Sequence, residues 1–443
     1  MTDQDPTTAY PFQGLPGTHG WLSADAVRGL LDARGLTEVV GASRRATLVA
    51  DLMRAAEELG DEATDERAGR LAQALERFAL SIPAGEDRAR LFDEAFLCRR
   101  AIVVDRLPPR DRLIHLLCLS ADGLEADRRP DLIMALRALS GDSVAVPSDV
   151  RWPEELLLRV ARAFVLVARR GTGWDDIREA ADEIAGLRAL QAAREDSWGA
   201  HADIAGVARV VALYNLARIA ELVAEFAISG SPPDTGIRLD RHHANVEEIL
   251  EQAPDASLQH VSDLLHAGGQ AMIRGSVWTT TRTLGAHVRA FVDTLAAAER
   301  DNPVLELWPS QRSALRSSLL DPAKRALVVQ MPTSSGKTLI AEFAIVQALA
   351  LNPGSKVAYV VPTRALVNQI ARRLRLDFGG LNYVVEAAVP VLSWIRSKTS
   401  SCEITTSMCS LRPQRSLISS SARIIRRPMA WRSSLQTRRT TWP

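Results

Sequence analysis

The residues with the clearest chemistry are Ser334, Ser335, Gly336, Lys337 and Thr338, preceded by Thr333. Small residues let backbone N–H groups wrap a β-phosphate, a lysine neutralises charge on the β- and γ-phosphates, and a hydroxyl ligates Mg²⁺. Thr338 is the expected magnesium ligand. The strict phosphate-loop pattern asks for Gly where this chain has Met331, and a chance Gly-Lys-Thr turn is the plain alternative. The flanks argue against chance. Arg325 to Gln330 is a short apolar, β-rich run, and Lys337 to Leu351 has helical spacing, so the loop joins a strand to a helix.

A second unit of the same kind follows. Lys356 to Val361 is another β-rich run, it ends at Pro362, and helical spacing returns from Leu366 to Arg375. Strand, loop and helix, twice over, predict the start of a parallel α/β sheet with binding loops at the carboxyl ends of its strands.

Met331-Pro332-Thr333-Ser334-Ser335-Gly336-Lys337-Thr338, followed by Leu339-Ile340-Ala341-Glu342, resembles motif I of the DEAD/DEAH-box helicases of superfamily 2. Pro362-Thr363-Arg364-Ala365-Leu366, which begins 25 residues after Lys337, is similar to their next motif, whose loop grips the nucleic-acid backbone. Alone, Arg364 reads as a solvated loop cation. Upstream, Leu307-Trp308-Pro309-Ser310-Gln311 resembles the segment where many of these helicases place a glutamine that reads adenine. A Gln amide donates and accepts together, which suits that edge, although an exposed Gln at a helix start is the plain alternative.

The resemblance covers roughly residues 303 to 391. It implies part of a RecA-like domain, ATP and Mg²⁺ as cofactors, nucleic acid (DNA or RNA) as partner, and helicase or translocase activity. The implied nucleotide contacts are Gln311, Thr333, Ser334, Ser335, Gly336, Lys337 and Thr338. The implied nucleic-acid contacts are Pro362, Thr363 and Arg364.

A helicase of this kind continues with a Thr-Thr-Pro-type motif, an Asp-Glu-Ala-His and a second RecA-like domain. None is readable after residue 391. Residues 392 to 443 instead hold twelve Ser and nine Arg, with no Gly, Val or Asp and no regular periodicity. A disordered basic tail, or a nucleic-acid-binding arm, would have this composition. The genetic code offers another account. Gln436 to Pro443 can be written CAG-ACG-AGG-CGC-ACA-ACA-TGG-CC, and moving back one base gives Asp-Glu-Ala-His-Asn-Met-Ala. The same shift over Met408 to Ile418 permits Asp-Val-Leu-Val-Thr-Thr-Pro-Glu-Lys-Leu-Asp. The expectation is a frameshift near Pro390 to Leu392, an unstructured tail beyond it, unassigned catalytic residues, and a truncated motor that binds nucleotide but hydrolyses it negligibly.

The rest of the chain must support these loops. Residues from about 22 to 300 show helical spacing in window after window, as at Asp65 to Leu80, Glu154 to Arg170, Asp175 to Arg194 and Leu284 to Arg300. Ser229 to Gly236 is turn-rich, so a joint is expected near 229–237. The expected fold is therefore α plus α/β: a helical region over 1–300, a partial RecA-like parallel α/β domain over 303–391, and the tail. That helical region could serve protein partners, and an alternative function is an interaction scaffold carrying a vestigial or nucleotide-sensing loop.

Composition is that of a folding globular chain, with 47% hydrophobic and 24% charged residues. The net charge of +1 hides an asymmetry. Ten of the 54 basic and one of the 53 acidic residues lie at 392–443, leaving the first 391 residues at −8. Cys98, Cys118, Cys402 and Cys409 lack paired spacing for zinc and suggest no disulfide framework. His242-His243 and the scattered carboxylates read as ordinary residues. The apolar stretch Ile204 to Ile228 is broken by Arg209, Arg218, Glu221 and Glu225, which predicts a buried helix rather than a membrane span. The acidic, polar start does not read as a secretory signal, so a cytoplasmic location is expected.

Overall fold

The computed structural model describes residues 62–388, apart from 171–173, 200–202, 298–299, 301–302, 318, 325 and 332–334, together with residues 407–413. Contacts divide the chain into two compact units, one reaching Leu351 and taking in Asp377–Leu381, the other comprising Asn352–Leu376 and the residues from Asn382.

In the first unit the helical spacing becomes α1 (Glu62–Leu80), α2 (Glu86–Arg100), α3 (Pro109–Glu125), α4 (Arg129–Arg137), α5 (Glu154–Arg169), α6 (Trp174–Gly199), α7 (Ile204–Ser229), α8 (Thr235–Gln252), α9 (Ala256–Gly275), the short α10 (Val277–Thr281), α11 (Ala286–Leu295), α12 (Pro309–Arg316) and α13 (Lys337–Leu351). Local chemistry sets the ends. Asp203 and Asp255 accept hydrogen bonds from the first free N–H groups of α7 and α9, which would otherwise be orphaned. Gly230 ends α7 in the left-handed region at φ 65°, where a Cβ would meet the Trp278 ring at 2.2 Å. Residues 230–234 form the turn between α7 and α8, within the first unit.

The core is a continuous apolar cluster centred on α3, α5, α7 and α9, with Phe92, Phe96, Phe164, Leu113, Leu116 and Leu117 fully enclosed. Helix α5 runs through it and buries nearly every position except Arg159 and Arg162, which turn outward to Glu183 on α6. Helix α7, the candidate buried helix, contributes Leu213, Leu216, Ile219 and Leu222 to the same cluster. Among the described residues no helix is long and apolar enough to cross a membrane.

Four of these helices are also joined by a buried ionic clasp. Arg99 on α2 donates from Nη2 to Glu76 on α1 at 2.8 Å and again from Nε, while Asp122 on α3 lies 3.2 Å from Arg99 Nε. His260 on α9 bonds Glu76 through Nε2 at 2.6 Å. Burial alone would raise the Glu76 carboxyl, but Arg99 and His260 outweigh it and hold the group far below the usual carboxylate range. Burial and the neighbouring Glu76 push Asp122 well above that range. Arg99 thus favours the ionised form of Glu76, while burial and the nearby Glu76 disfavour ionisation of Asp122. Cys98 and Cys118 are free, buried thiols, and burial pushes Cys98 up to about 12, which makes it inert.

The helix expected over 284–300 stops at Leu295, because the incoming chain takes its last carbonyl: Val304 N donates to Leu295 O at 2.9 Å. That incoming segment is stitched onto the helices. Val277 N donates to Leu305 O and Leu307 N to Gly275 O, both at 3.0 Å, around a bridge between Ser276 and Glu306. Helix α13 is seated on α11 through an edge-on Phe291–Phe343 pair with ring centroids 5.3 Å apart, and Phe378 stacks on Phe291 at 5.2 Å. These contacts cross residue 300, and the first compact unit runs on to Leu351.

In the second unit, β1 (Val357–Val361) leads into α14 (Arg364–Phe378), whose last two residues belong to the first unit, and then into β2 (Tyr383–Ala388). The sheet is not parallel as expected. Its order is β1-β3-β2, with β3 (Ser407–Pro413) antiparallel to both neighbours, pairing Tyr359 with Cys409 and Val385 with Leu411. Strands β1 and β2 run the same way, as a strand–helix–strand crossover dictates, and β3 fills the slot between them. Backbone pairing needs N–H and C=O groups rather than particular side chains. Two further corrections follow. Residues 407–413 are a strand, although no structure is expected over 392–443, whose other residues lie outside those described. Residues 326–330 form no strand; Val328 is 93% exposed, and no described strand pairs with that run. An apolar run becomes a strand only where a neighbouring edge satisfies it.

Replacing Glu76 by Ala removes two hydrogen bonds from the buried Arg99 guanidinium and leaves Asp122 as its remaining carboxylate neighbour. The expected cost is about 3 kcal/mol, the lower end for a broken buried pair, read as a lower urea midpoint for loss of helical circular dichroism.

Candidate functional site

Gly336 is the pivot of the candidate nucleotide site. Its φ of 75° lies in the left-handed region that favours glycine, and a Cβ there would sit 2.1 Å from Gln311 Nε2. The turn it makes starts α13. Gly336 O accepts from Leu339 N at 3.1 Å and from Gln311 Nε2 at 3.3 Å, so one carbonyl serves the first helical turn and the glutamine together.

Gln311 is 4% exposed, not the exposed helix-start residue of the plain alternative. It occupies the third position of α12, where its Oε1 accepts from Trp308 N at 2.9 Å. A helix start commonly satisfies its first N–H in this way. A Gln amide has two donors and two lone pairs. The two bonds shown use one of each, and the remainder suits an adenine edge.

Lys337 folds back on the loop, with Nζ donating to Met331 O at 2.7 Å. Ser335 is 8% exposed, and Thr338 is half-buried in the first turn of α13. Thr333 and Ser334, with Pro332, lie outside the described residues. Ser335, Gly336, Lys337 and Thr338 therefore gather at the start of one helix with Gln311 against them. Their types fit a triphosphate and a magnesium ion: an ammonium, two hydroxyls and the N-terminal end of α13.

Pro362, Thr363 and Arg364 belong to the second unit, exposed at the carboxyl end of β1. Thr363 caps α14, its Oγ1 accepting from Leu366 N at 3.3 Å, which leaves Arg364 in the first exposed turn.

Comparison with known proteins bears on these features. The family profile described as DEAD/DEAH box helicase matches residues 308–425. Residues 308–425 are part of a DEAD/DEAH box helicase domain. The match begins at the Trp308–Gln311 turn and runs past residue 391, taking in β3. The chain also has curated relatives. The Hachiman protein HamB of Bacillus cereus is 37% identical over 86 residues, 19% of this chain and 8% of that protein. The ATP-dependent DNA helicase Hel308 of Pyrococcus abyssi is 43% identical over 76 residues, 17% of this chain and 10% of that protein. Hel308 of Thermococcus kodakarensis is 39% identical over 90 residues, again 8% of its length. The chain thus matches about a tenth of the length of these relatives, and the residues before 308 lie outside the family match.

Two residues that the sequence reading passes over bear directly on this helicase segment. Arg312, beside Gln311, donates to Leu307 O at 2.7 Å and to both carboxylate oxygens of Asp127 at 2.8 and 2.7 Å. Nothing in the sequence ties Asp127 to Arg312 across 185 positions. His243, read from sequence as an ordinary residue, shares a group of donor atoms with Glu247 and Asp263, all within 4.8 Å of one another. Asp263 is already bonded there by His243, Gln259 and Arg77, so the group is satisfied as a hydrogen-bonded network.

Gly336→Ala should destabilise the first unit by about 1–2 kcal/mol from backbone strain alone, with a further cost from the clash with Gln311. The double variant Gly336→Ala, Gln311→Ala should recover only the clash component, measured by urea unfolding of all three variants.

Proposed function

We propose that the segment from residue 303 is the nucleotide-binding part of an ATP-dependent helicase or translocase that acts on DNA. The observation that carries this reading is the seating of Gln311 on Gly336. It joins the base-reading residue to the phosphate loop within a stretch that matches the DEAD/DEAH box helicase family. In this reading Thr333 to Thr338 cradle the β- and γ-phosphates, with Lys337 releasing Met331 O to neutralise them. Thr338 ligates Mg²⁺, and Gln311 reads the adenine edge. Pro362, Thr363 and Arg364 grip the nucleic-acid backbone, and the name of the Hel308 relatives favours DNA over RNA.

The residues that would hydrolyse the bound nucleotide belong, in this reading, to the frame neighbouring Gln436 to Pro443, beyond the residues that the family profile matches. In phosphate-loop motors an acidic motif holds the metal and positions water, and an arginine supplied separately stabilises the transition state. With Gln436 to Pro443 read as that acidic motif out of frame, nucleotide binding without appreciable turnover is the expected behaviour of these 443 residues.

Two measurements test this. Lys337→Ala should weaken binding of a fluorescent ATP analogue to the 443-residue chain at least tenfold, with helical circular dichroism unchanged; equal binding would overturn the assignment of the loop. Sequencing the gene past codon 391 should reveal Asp-Glu-Ala-His in the neighbouring frame, and its absence would remove the frameshift.

A further inference from the structure

Asp127 is held in an unfavourable place. It follows the last turn of α3 at φ 56°, a left-handed conformation that usually falls to glycine at a helix end, and the chain closes around it with Arg128 N donating to Gly123 O at 2.8 Å. A negative charge at a helix C-terminus also opposes the helix dipole. A strained residue kept where glycine would fit better marks a side chain with a task.

The carboxylate's contacts show what the task is. Both oxygens of Asp127 accept from Arg312 Nη2, at 2.8 and 2.7 Å, and Arg129 Nε lies 3.8 Å away. Arg312 is 12% exposed, and its other terminal nitrogen holds Leu307 O at 2.7 Å. Arg312 N also donates to Trp308 O at 2.9 Å, in the turn where Gln311 holds Trp308 N. The turn that presents Gln311 to Gly336 is thereby pinned from the helical side by one arginine, and that arginine by Asp127.

We propose that Asp127, a residue of the helical region, is a positioning residue for nucleotide-base recognition: through Arg312 it sets the orientation of Gln311 over Gly336. The inference rests on the reading that Gln311 contacts adenine. It makes the helical region part of the nucleotide site, so that base selectivity depends on a residue of α3's C-terminal turn that touches no nucleotide.

The test uses the full 443-residue chain with fluorescent ATP and GTP analogues, comparing the ratio of their dissociation constants. Asparagine tolerates the left-handed conformation and removes the charge, so Asp127→Asn should keep the fold and lower the ATP-over-GTP preference about threefold to tenfold, a range set by the partial exposure of the pair. GTP affinity should change little. Arg312→Gln should have the same effect, and the double variant should be no worse than either single one, as for two members of one linkage. If Asp127→Asn loses helical circular dichroism, Asp127→Gly, which relieves the backbone strain, takes its place. An unchanged ratio in the folded variant, while Lys337→Ala abolishes binding, overturns the role of Asp127 and leaves the nucleotide site intact. A wild-type chain that binds neither analogue, or binds ATP without base preference, overturns the reading of the site and the inference with it.

Discussion

Arg129 and Arg170, both from the helical region, converge on the single carboxylate of Glu306, Arg170 at 2.7 Å and Arg129 in a still closer ion pair. Burial would raise the Glu306 carboxyl, but the two guanidinium groups outweigh it and hold the group below its ordinary range. A largely desolvated carboxylate between two arginines is stable only if all three arrive together. Where residue 306 sits therefore fixes where the helicase segment starts. The strand-like contacts of residues 305–307 with Gly275–Val277, the turn at Trp308 and the helix carrying Gln311 follow from that one junction.

This junction changes how the two halves of the sequence relate. By composition the chain divides near residue 300, where Ala- and Arg-rich helices give way to β-rich runs. Physically the helices continue across that point, because Phe343 of the phosphate-loop helix packs on Phe291 and Arg300 reaches Asp377 at 2.5 Å. A segment seated on a bundle by aromatic contacts and buried ion pairs shares its stability, so disturbance in the bundle is felt at the start of α13.

How much was legible in advance depends on the range of the interaction. Helices written by their own periodicity, such as α5 with its apolar run from Leu156 to Ala168, are readable because the signal lies within a few turns. The loop Ser335–Thr338 and the proximity of Gln311 are readable through family resemblance, since motif order carries what spacing alone does not. The strand expected over 325–330 is not realised, because a strand depends on neighbours that local sequence does not specify. The antiparallel β3 between β1 and β2 is unreadable for the same reason: the pairing lies in the backbone, and the segment's composition signals only its charge. Asp127 is invisible in sequence because its meaning comes from a partner 185 residues away and from a backbone angle.

The lysine folded onto Met331 O carries a consequence of another kind. In the proposed reading, a phosphate entering the loop meets a lysine with one of its three ammonium hydrogens already given to Met331 O. The loop then competes with its ligand for that one hydrogen, and apparent affinity falls only as far as binding requires the lysine to leave the carbonyl.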